Sequence, residues 1–377
     1  MLIQIDRDSL LKAINIADSI ISSKNISTIL SNCLFNVKTD HIEIVSTDND
    51  IAIRTRIAAR AEGEISFAAN GKKFHGILKE LPSSDLELQV SESRSITIRS
   101  KSKDVKGRYT IIGMNPDEFP DIPIFRNEHA IELPQDLMKQ MIRKVLYAAA
   151  LETIKPVFNG IYFITDEKKN ITAVATDSRR LALIRRRLNN EIDMSEGIII
   201  PLKTVNEVFR LLDSADTCKL MFRDNQCYFK IADTEIISRI VDGQFPNYRQ
   251  VLPKEFLIEF EVETKKFMES ARRAMIFTRE PAYKIVLNIH GEKMIIQSST
   301  PELGEAEEEL QVKTNDDKSI AIGINAQFLI DALKEIDTDM VKCGITGQMS
   351  PMEITQPGDE SYLSIIMPIQ IRSTQSE

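Results

Sequence analysis

The stretch KKFHGILKEL, residues 72–81, decides the fold because the chain carries its pattern three times. TVNEVFRLL (204–212) and FLIDALKEI (328–336) repeat its apolar spacing of i, i+3, i+4, i+7, which marks one face of an amphipathic helix. The apolar positions are Phe74, Ile77, Leu78 and Leu81; Val205, Val208, Phe209 and Leu212; and Leu329, Ala332, Leu333 and Ile336. The stripes lie 131 and 124 residues apart, and so long a period predicts three tandem domains of one design.

Each third of the chain repeats more than this helix. An earlier helix in each third precedes two alternating strands joined by a polar turn, as in GIYFITDEKKNITAVATD (160–177). The predicted helices are 6–21, 68–82, 132–150, 200–213, 261–277 and 323–337. We therefore predict an α+β fold in which each domain places two helices on one face of an antiparallel sheet of roughly eight strands.

Two similar proline-containing stretches end the first two repeats. NPDEFPDI (115–122) and DGQFPNYRQV (242–251) interrupt the strand pattern and suit linkers between domains. The predicted domains are residues 1–125, 126–253 and 254–377, the last with a short polar tail, RSTQSE, at 372–377.

The composition is that of an ordinary globular protein, with 42% hydrophobic and 28% charged residues. No apolar run approaches the ~20 residues of a membrane helix, and the first residues lack a signal-peptide pattern, so we expect a cytoplasmic protein. The four cysteines lie far apart and none has metal-ligand spacing, which predicts small buried thiols rather than a metal site.

The net charge of −8 hides two opposite clusters. Residues 94–108 hold six basic residues and one Asp, and the alternation of Ile96 and Ile98 with polar residues predicts a strand with a basic face. Residues 302–309 hold five Glu and no basic residue. In a two-fold dimer such clusters could meet head to tail, although solvated charged faces are the more usual reading of charge runs.

The predicted helices are slightly basic, with 15 basic and 14 acidic residues. This modest bias fits helices that face a polyanion, and it equally fits helices with balanced faces.

The motifs of common enzymes are absent from the sequence: it has no GxxxxGK[ST] phosphate loop, no GxSxG elbow and no HExxH zinc motif. TDSRRL (176–181) groups a Ser with an Asp and two Arg, but no His lies near it in sequence. Asp177 and Asp48 occupy equivalent repeat positions, which favours a structural role in closing a turn. We therefore expect no catalytic residue, metal or cofactor.

Three further stretches carry a family resemblance. ATDSRRLAL (175–183), DGQFPNYRQVLP (242–253) and YLSIIMPIQI (362–371) resemble the bacterial DNA polymerase III beta subunits, the sliding clamps, and the order of elements agrees from Met1 to Ile371. The resemblance implies a homodimeric ring of six domains whose helices line a hole for duplex DNA. It also implies a non-catalytic factor that tethers the replicative polymerase and other DNA-processing proteins for processive synthesis.

The resemblance also implies three sets of site residues. A pocket between the second and third domains would bind short linear motifs of polymerases and of the clamp loader, through Phe158, Thr176, Ser178, Arg179, Arg180, Leu181, Pro246, Val251, Ile365, Met367, Pro368 and Ile369. Sequence-independent DNA contacts would come from Lys24, Lys72, Lys73, Lys155 and Lys203. The dimer interface would hold Arg94, Arg99, Lys101, Lys103, Arg108, Tyr109, Ile111, Ile276, Phe277, Glu302, Glu305, Glu307 and Glu308. The family often has Gly where this chain has Ser178, and His where it has Arg179.

Two alternatives stay open at this point. One is an enzyme acting on nucleic acid with its active site near Asp177, Arg179 and Arg180. The other is a monomeric scaffold of three domains that never closes into a ring. A dimeric mass would exclude the second, and metal-dependent turnover lost on Asp177→Ala would favour the first.

Overall fold

The computed structural model describes residues 1–21, 29–102, 106–126, 130–152, 154–167, 169–188, 194, 196–213, 216–314 and 317–371. Lys24, Lys103 and the tail 372–377 lie outside the described residues. The chain forms two compact units, one of Met1–Leu137 with Asn206–Ile240 and one of Met138–Val205 with Val241–Glu377.

Six α-helices occur in the described part of the chain, and each lies inside a range that the sequence predicted. They are Arg7–Asp18 (α1), Gly71–Glu80 (α2), Gln135–Leu146 (α3), Leu202–Leu211 (α4), Thr264–Met275 (α5) and Ala326–Lys334 (α6). Asn70 and Asn325 begin α2 and α6, since each side chain accepts a hydrogen bond from the backbone N–H three residues on. The predicted apolar stripes face inward; Phe74 and Leu329, for example, are fully buried.

The strands of the first half of the chain are short, and several of them alternate as predicted. They are Leu2–Asp6 (β1), Cys33–Val37 (β2), His41–Thr47 (β3), Ile51–Ala58 (β4), Arg60–Ala61 (β5), Ile65–Ala69 (β6), Asp85–Val90 (β7), Ser95–Ser100 (β8), Arg108–Ile112 (β9), Ile131–Pro134 (β10), Gly160–Thr165 (β11), Asn170–Thr176 (β12) and Arg180–Arg187 (β13).

The second half of the chain contributes as many strands. They are Ile198–Pro201 (β14), Thr217–Arg223 (β15), Gln226–Ile231 (β16), Thr234–Arg239 (β17), Ile258–Glu263 (β18), Lys284–His290 (β19), Lys293–Thr300 (β20), Gly304–Gln311 (β21), Lys313–Thr314 (β22), Ser319–Asn325 (β23), Met340–Ile345 (β24), Met352–Gln356 (β25) and Asp359–Ile366 (β26).

The first unit contains two antiparallel sheets, in the orders β5-β1-β7-β8-β9 and β10-β15-β16-β17-β4-β3-β2-β6. The eight-stranded sheet joins strands of the first and second predicted domains, because β17 pairs with β4. Helices α1 and α2 pack on each other, and the apolar core beside them includes Leu10, Phe35, Phe67 and Phe74. The strand β9 forms one edge of the five-stranded sheet.

The second unit repeats this arrangement with a sheet of nine strands, β14-β11-β12-β13-β26-β25-β24-β18-β22, and one of four, β21-β20-β19-β23. The larger sheet joins strands of the second and third predicted domains, because β13 pairs with β26. Helices α5 and α6 pack on each other in this unit, and β21 forms one edge of the smaller sheet.

Two further predictions can be compared with the structure. All four cysteines are buried and unpaired, which confirms the expected small buried thiols. Within the described residues, no helix has the length and apolarity that crossing a membrane requires.

Candidate functional site

The turn between β12 and β13 shapes the candidate pocket. Asp177 Oδ1 accepts the backbone N–H groups of Arg179 and Arg180, each at 2.9 Å. Thr176 Oγ1 donates to the carbonyl of Arg180 at 2.6 Å and accepts the N–H of Ser178 at 3.1 Å. Asp177 is therefore a turn-closing residue, which confirms the prediction. Ser178 has a φ of 74°, a left-handed conformation that favours glycine and costs a serine on the order of 1 kcal/mol.

This turn borders a mostly apolar cavity of about 170 Å³ in the second unit. The other walls come from the short 3-10 turn Tyr248–Val251 and from the end of β26, whose Ile365 pairs with Leu181 in register. The lining residues are Phe158, Thr176, Ser178, Arg180, Leu181, Pro246, Asn247, Tyr248, Val251, Ile365 and Met367. Nine of the twelve residues predicted to bind partner motifs thus line this single cavity, which is the partner pocket, or first cavity.

Arg180 also lines this cavity, and its positive charge is balanced by two carboxylates. Its guanidinium bonds Asp177 Oδ2 at 3.1 Å and Asp331 Oδ2 at 2.8 Å, and it lies 4.5 Å from the ring centre of Phe328. A guanidinium held on two carboxylates and an aromatic face is fixed in place. Arg180 therefore shapes the wall rather than offering a free cation to a ligand.

Three predicted residues do not line the cavity. Arg179 is exposed in the adjoining turn. Pro368 and Ile369 continue the chain beyond the cavity, where the Ile369 N–H donates to the carbonyl of Gly323 at 2.7 Å.

Two lining residues were missed by the sequence analysis. Asn247 and Tyr248 follow Pro246 directly, so their place in FPNY was the available signal. The Tyr248 hydroxyl is buried, and it has no hydrogen-bond partner in the described part of the chain.

The acidic cluster lies on the edge strand β21, but not all of its charges are available to a partner. Glu308 receives two hydrogen bonds from Arg273 of α5, at 2.7 and 2.8 Å. These bonds, with one from Ser270, hold the pKa of Glu308 below its usual value against the opposing effect of burial. Glu302 pairs with Arg279. The exposed side chains of Glu305 and Glu307 remain the outward carboxylates of the predicted set.

The basic cluster differs from the predicted strand with a basic face. Ile96, Thr97 and Ile98 of β8 are all buried, so the strand has no alternating basic side. Its exposed cations are Arg94 in the turn before β8, Arg99 near the end of β8, Lys101 and Lys106 between β8 and β9, and Arg108 on β9. Arg99 stands directly opposite Arg108 in the ladder, a like-charge pair that disfavours the sheet unless an anion approaches.

The apolar residues predicted for the dimer interface differ in how far they are exposed on the single chain. Ile276 is 69% exposed and Phe277 half-buried, and both follow α5. Tyr109 is half-buried on β9. Ile111, predicted to be part of the dimer interface, is 4% exposed in the single chain, and its side chain packs in the core of the first unit. Its neighbour Ile112 points the other way and is 84% exposed, since successive residues of a strand face opposite sides.

The six helices are more basic than the sequence indicated. Within their observed bounds they hold 15 basic and 7 acidic residues, a net charge of +8, so the remaining sequence carries −16. The seven acidic residues of the predicted ranges that fall outside the observed helices lie just before or just after them, as Asp6 does at the start of α1. Cations concentrated on helices with an acidic remainder favour a polyanionic ligand.

The described lysines predicted to contact DNA lie at helix starts. Lys72 and Lys73 are exposed in the first turn of α2, and Lys203 is exposed in that of α4. Lys155 precedes the 3-10 turn Pro156–Phe158 and lies 5.9 Å from the ring centre of Phe158. The sequence analysis missed Lys265, which is exposed in the first turn of α5.

Among the residues that the structure describes, no group of three or more His, Cys, Asp or Glu side chains could hold an ion.

Comparison with known proteins covers nearly the whole chain. The sequence matches the N-terminal domain of the DNA polymerase III beta subunit over residues 1–123, the central domain over 132–247 and the C-terminal domain over 249–370. The beta sliding clamps of Halalkalibacterium halodurans and Bacillus subtilis are each 28% identical to it, over 97% of this chain and 98% of theirs.

Solved structures agree with these matches. The DNA polymerase sliding clamp of Bacillus subtilis superposes with a TM-score of 0.92 at 27% identity, covering 99% of this chain and 100% of that one. The beta subunit of DNA polymerase III from Thermotoga maritima gives a TM-score of 0.90 at 27% identity and the same coverage. The chain therefore belongs to the family of bacterial DNA polymerase III beta subunits, the DNA sliding clamps.

Proposed function

We propose that two copies of this protein close into a ring around duplex DNA and tether the replicative polymerase to it. The observation that carries the proposal is the charge division between the helices, at +8, and the remaining sequence, at −16. Helices of this charge can attract phosphates, which carry no sequence information, while a closed ring holds the DNA by topology. The contacts can then stay weak enough for sliding.

The three domains of each copy would be 1–125, 126–253 and 254–377. Exposed helix-start lysines would make the mobile phosphate contacts: Lys72 and Lys73 in the first domain, Lys155 and Lys203 in the second and Lys265 in the third. Burial raises the pKa of Asp18, and the nearby positive charges of Lys72 and His75 offset that rise only in part.

The edges of the two smaller sheets support closure between copies. The larger sheets, of eight and nine strands, each join strands of two predicted domains, whereas the smaller ones end at β9 and β21. Pairing β9 of one copy with β21 of the other would build a sheet of nine strands from five and four. Glu305 and Glu307 would then approach the Arg99–Arg108 pair, with Ile112, Ile276 and Phe277 as the apolar centre.

The cavity between Leu181, Pro246 and Ile365 would take the apolar anchors of a partner's linear motif. Met367 lies at its lip, 37% exposed, and a thioether adapts to several side chains. Polymerases and the clamp loader would compete for this one site. Since Asp177 and Arg180 are bonded within the wall of the cavity, we infer that the protein supplies no catalytic group there. We also infer that it works beside the chromosome in the cytoplasm.

We expect light scattering to give a mass of about twice 42.8 kDa.

Reversing Arg99 to Glu should weaken the dimer at low salt, because exposed pairs contribute ~0.2–1 kcal/mol each and the closed dimer contains two interfaces. Adding Glu305→Arg should recover part of the loss. The matched control is Arg60→Glu, at the opposite edge of the same five-stranded sheet. A monomeric wild type, or equal weakening by Arg60→Glu, would contradict the assigned edges.

A further inference from the structure

A second cavity, of about 250 Å³, lies within the first unit. It is bordered by the turn between β3 and β4, by Pro120–Pro123 and by the end of β17. Its lining residues are Thr47, Asn49, Asp50, Ile51, Ala52, Pro120, Asp121, Ile122, Pro123, Gln226, Ile237, Ser238 and Arg239.

The turn at this cavity reproduces the turn at the partner pocket bond for bond. Asp48 Oδ1 accepts the N–H groups of Asp50 and Ile51 at 3.1 and 2.9 Å, as Asp177 does in the second unit. Thr47 Oγ1 donates to the carbonyl of Ile51 at 2.9 Å and accepts the N–H of Asn49 at 3.1 Å. Asn49 has a φ of 80°, matching the left-handed Ser178.

The strand beside each turn is also equivalent. Ile237 pairs with Ala52 as Ile365 pairs with Leu181. The Arg239 N–H donates to the carbonyl of Asp50 at 3.1 Å, as the N–H of Met367 does to the carbonyl of Arg179 at 2.9 Å.

The Phe-Pro dipeptide at 119–120 matches the one at 245–246. Nine of the eleven residues lining the partner pocket therefore have an equivalent that lines the second cavity; the exceptions are Phe158 and Val251.

The second cavity has isoleucines in its lining, but its surface is more polar than that of the partner pocket, and the charged residues at its rim differ. Ile51 and Ile237 are buried and Ile122 is half-buried, so an aliphatic side chain would find an apolar surface. Exposed Asp50 takes the turn position of Arg179, which does not line the partner pocket, and exposed Asp121 takes the position of Asn247, which does. Neither carboxylate has an ion-pair partner within the described residues.

We propose that this cavity is a second docking site for a linear peptide, selective for an aliphatic anchor flanked by Lys or Arg. The proposal rests on the proposed role of the first cavity, whose turn and strand geometry it shares. The two unpaired carboxylates outnumber the one cation in the lining, Arg239, so the net negative rim complements a basic flank and disfavours DNA and acidic peptides. One chain would then hold two partners with different motifs at once.

The test uses two fluorescein-labelled peptides and fluorescence anisotropy. Gln-Leu-Ser-Leu-Phe, called the Gln peptide, probes the first cavity, and Arg-Leu-Ser-Leu-Phe-Arg, called the Arg peptide, probes the second. Met367→Arg places an arginine at the entrance of the first cavity, at the position that Arg239 occupies in the second cavity. We expect this variant to lose the Gln peptide and to keep binding the Arg peptide.

Adding Asp50→Arg and Asp121→Arg to that variant should weaken binding of the Arg peptide roughly tenfold at about 50 mM NaCl, and less at higher salt. The matched control adds Glu196→Arg and Glu360→Arg, which reverse two exposed carboxylates away from the cavity. Loss of both peptides with Met367→Arg alone would overturn the second site while leaving the first intact. Equal weakening by the control pair would also overturn it. Retention of the Gln peptide by Met367→Arg would contradict the first pocket instead.

Discussion

Replacing Ile276 with Asp should convert the dimer into monomers. Ile276 is 69% exposed in the single copy, at the end of α5 beside the acidic edge, and the proposed interface would bury it. An unpaired charge left in such a contact costs about 3–5 kcal/mol. Because a ring of two copies has two interfaces, the cost applies twice, and the dissociation constant should rise at least about ten-thousandfold. Sedimentation at micromolar concentration measures this directly.

The matched control for this change is Ile124→Asp. Ile124 is another isoleucine of similar exposure, 68%, but it lies outside both proposed edges. Its variant should remain dimeric, and Ile112→Asp on β9 should behave like Ile276→Asp. An Ile276→Asp protein that stays dimeric would show that the interface lies elsewhere.

Shortening Met367 to Ala should weaken peptide binding about tenfold without changing the dimer. The side chain forms the lip of the cavity near Leu181 and Ile365, and truncating an anchor contact typically costs more than ~1 kcal/mol. Titration of the Gln-Leu-Ser-Leu-Phe peptide, followed by anisotropy or calorimetry, gives the change.

Met349→Ala is the control for this truncation, because Met349 is 64% exposed and does not line the cavity. It should bind the peptide as the unchanged protein does. Equal affinity of the Met367→Ala and unchanged proteins would remove Met367 from the pocket and with it the assignment of this lip.

The repeat made the helices predictable, because the 3.6-residue period of an amphipathic stripe is visible in the sequence without knowledge of the fold. The charge of the helices was not predictable to the same degree. Capping residues such as Asp6 and Glu263 lie one position outside the helices, so generous boundaries included acidic residues that the helices do not contain. The predicted net charge of +1 thus concealed the observed +8.

The interface shows where local sequence is insufficient. Ile111 and Ile112 are adjacent isoleucines on one strand, and only the packed sheet shows which of them faces the core. Glu308 looked like one acid among five, yet Arg273, 35 residues earlier in the chain, occupies its carboxylate. The pocket was more predictable, because most of its residues lie in three short stretches whose pattern carried the family resemblance.

The central claim is that a closed ring holds DNA by topology, and retention on circular DNA tests it most directly. The protein is placed on a nicked circular duplex with a purified bacterial clamp loader and ATP, washed in high salt and then exposed to an enzyme that cuts the circle once. We expect the protein to survive the wash on the circle and to leave after the cut, because salt removes phosphate contacts but does not open a ring. Equal release by salt from circular and linear DNA would contradict the account.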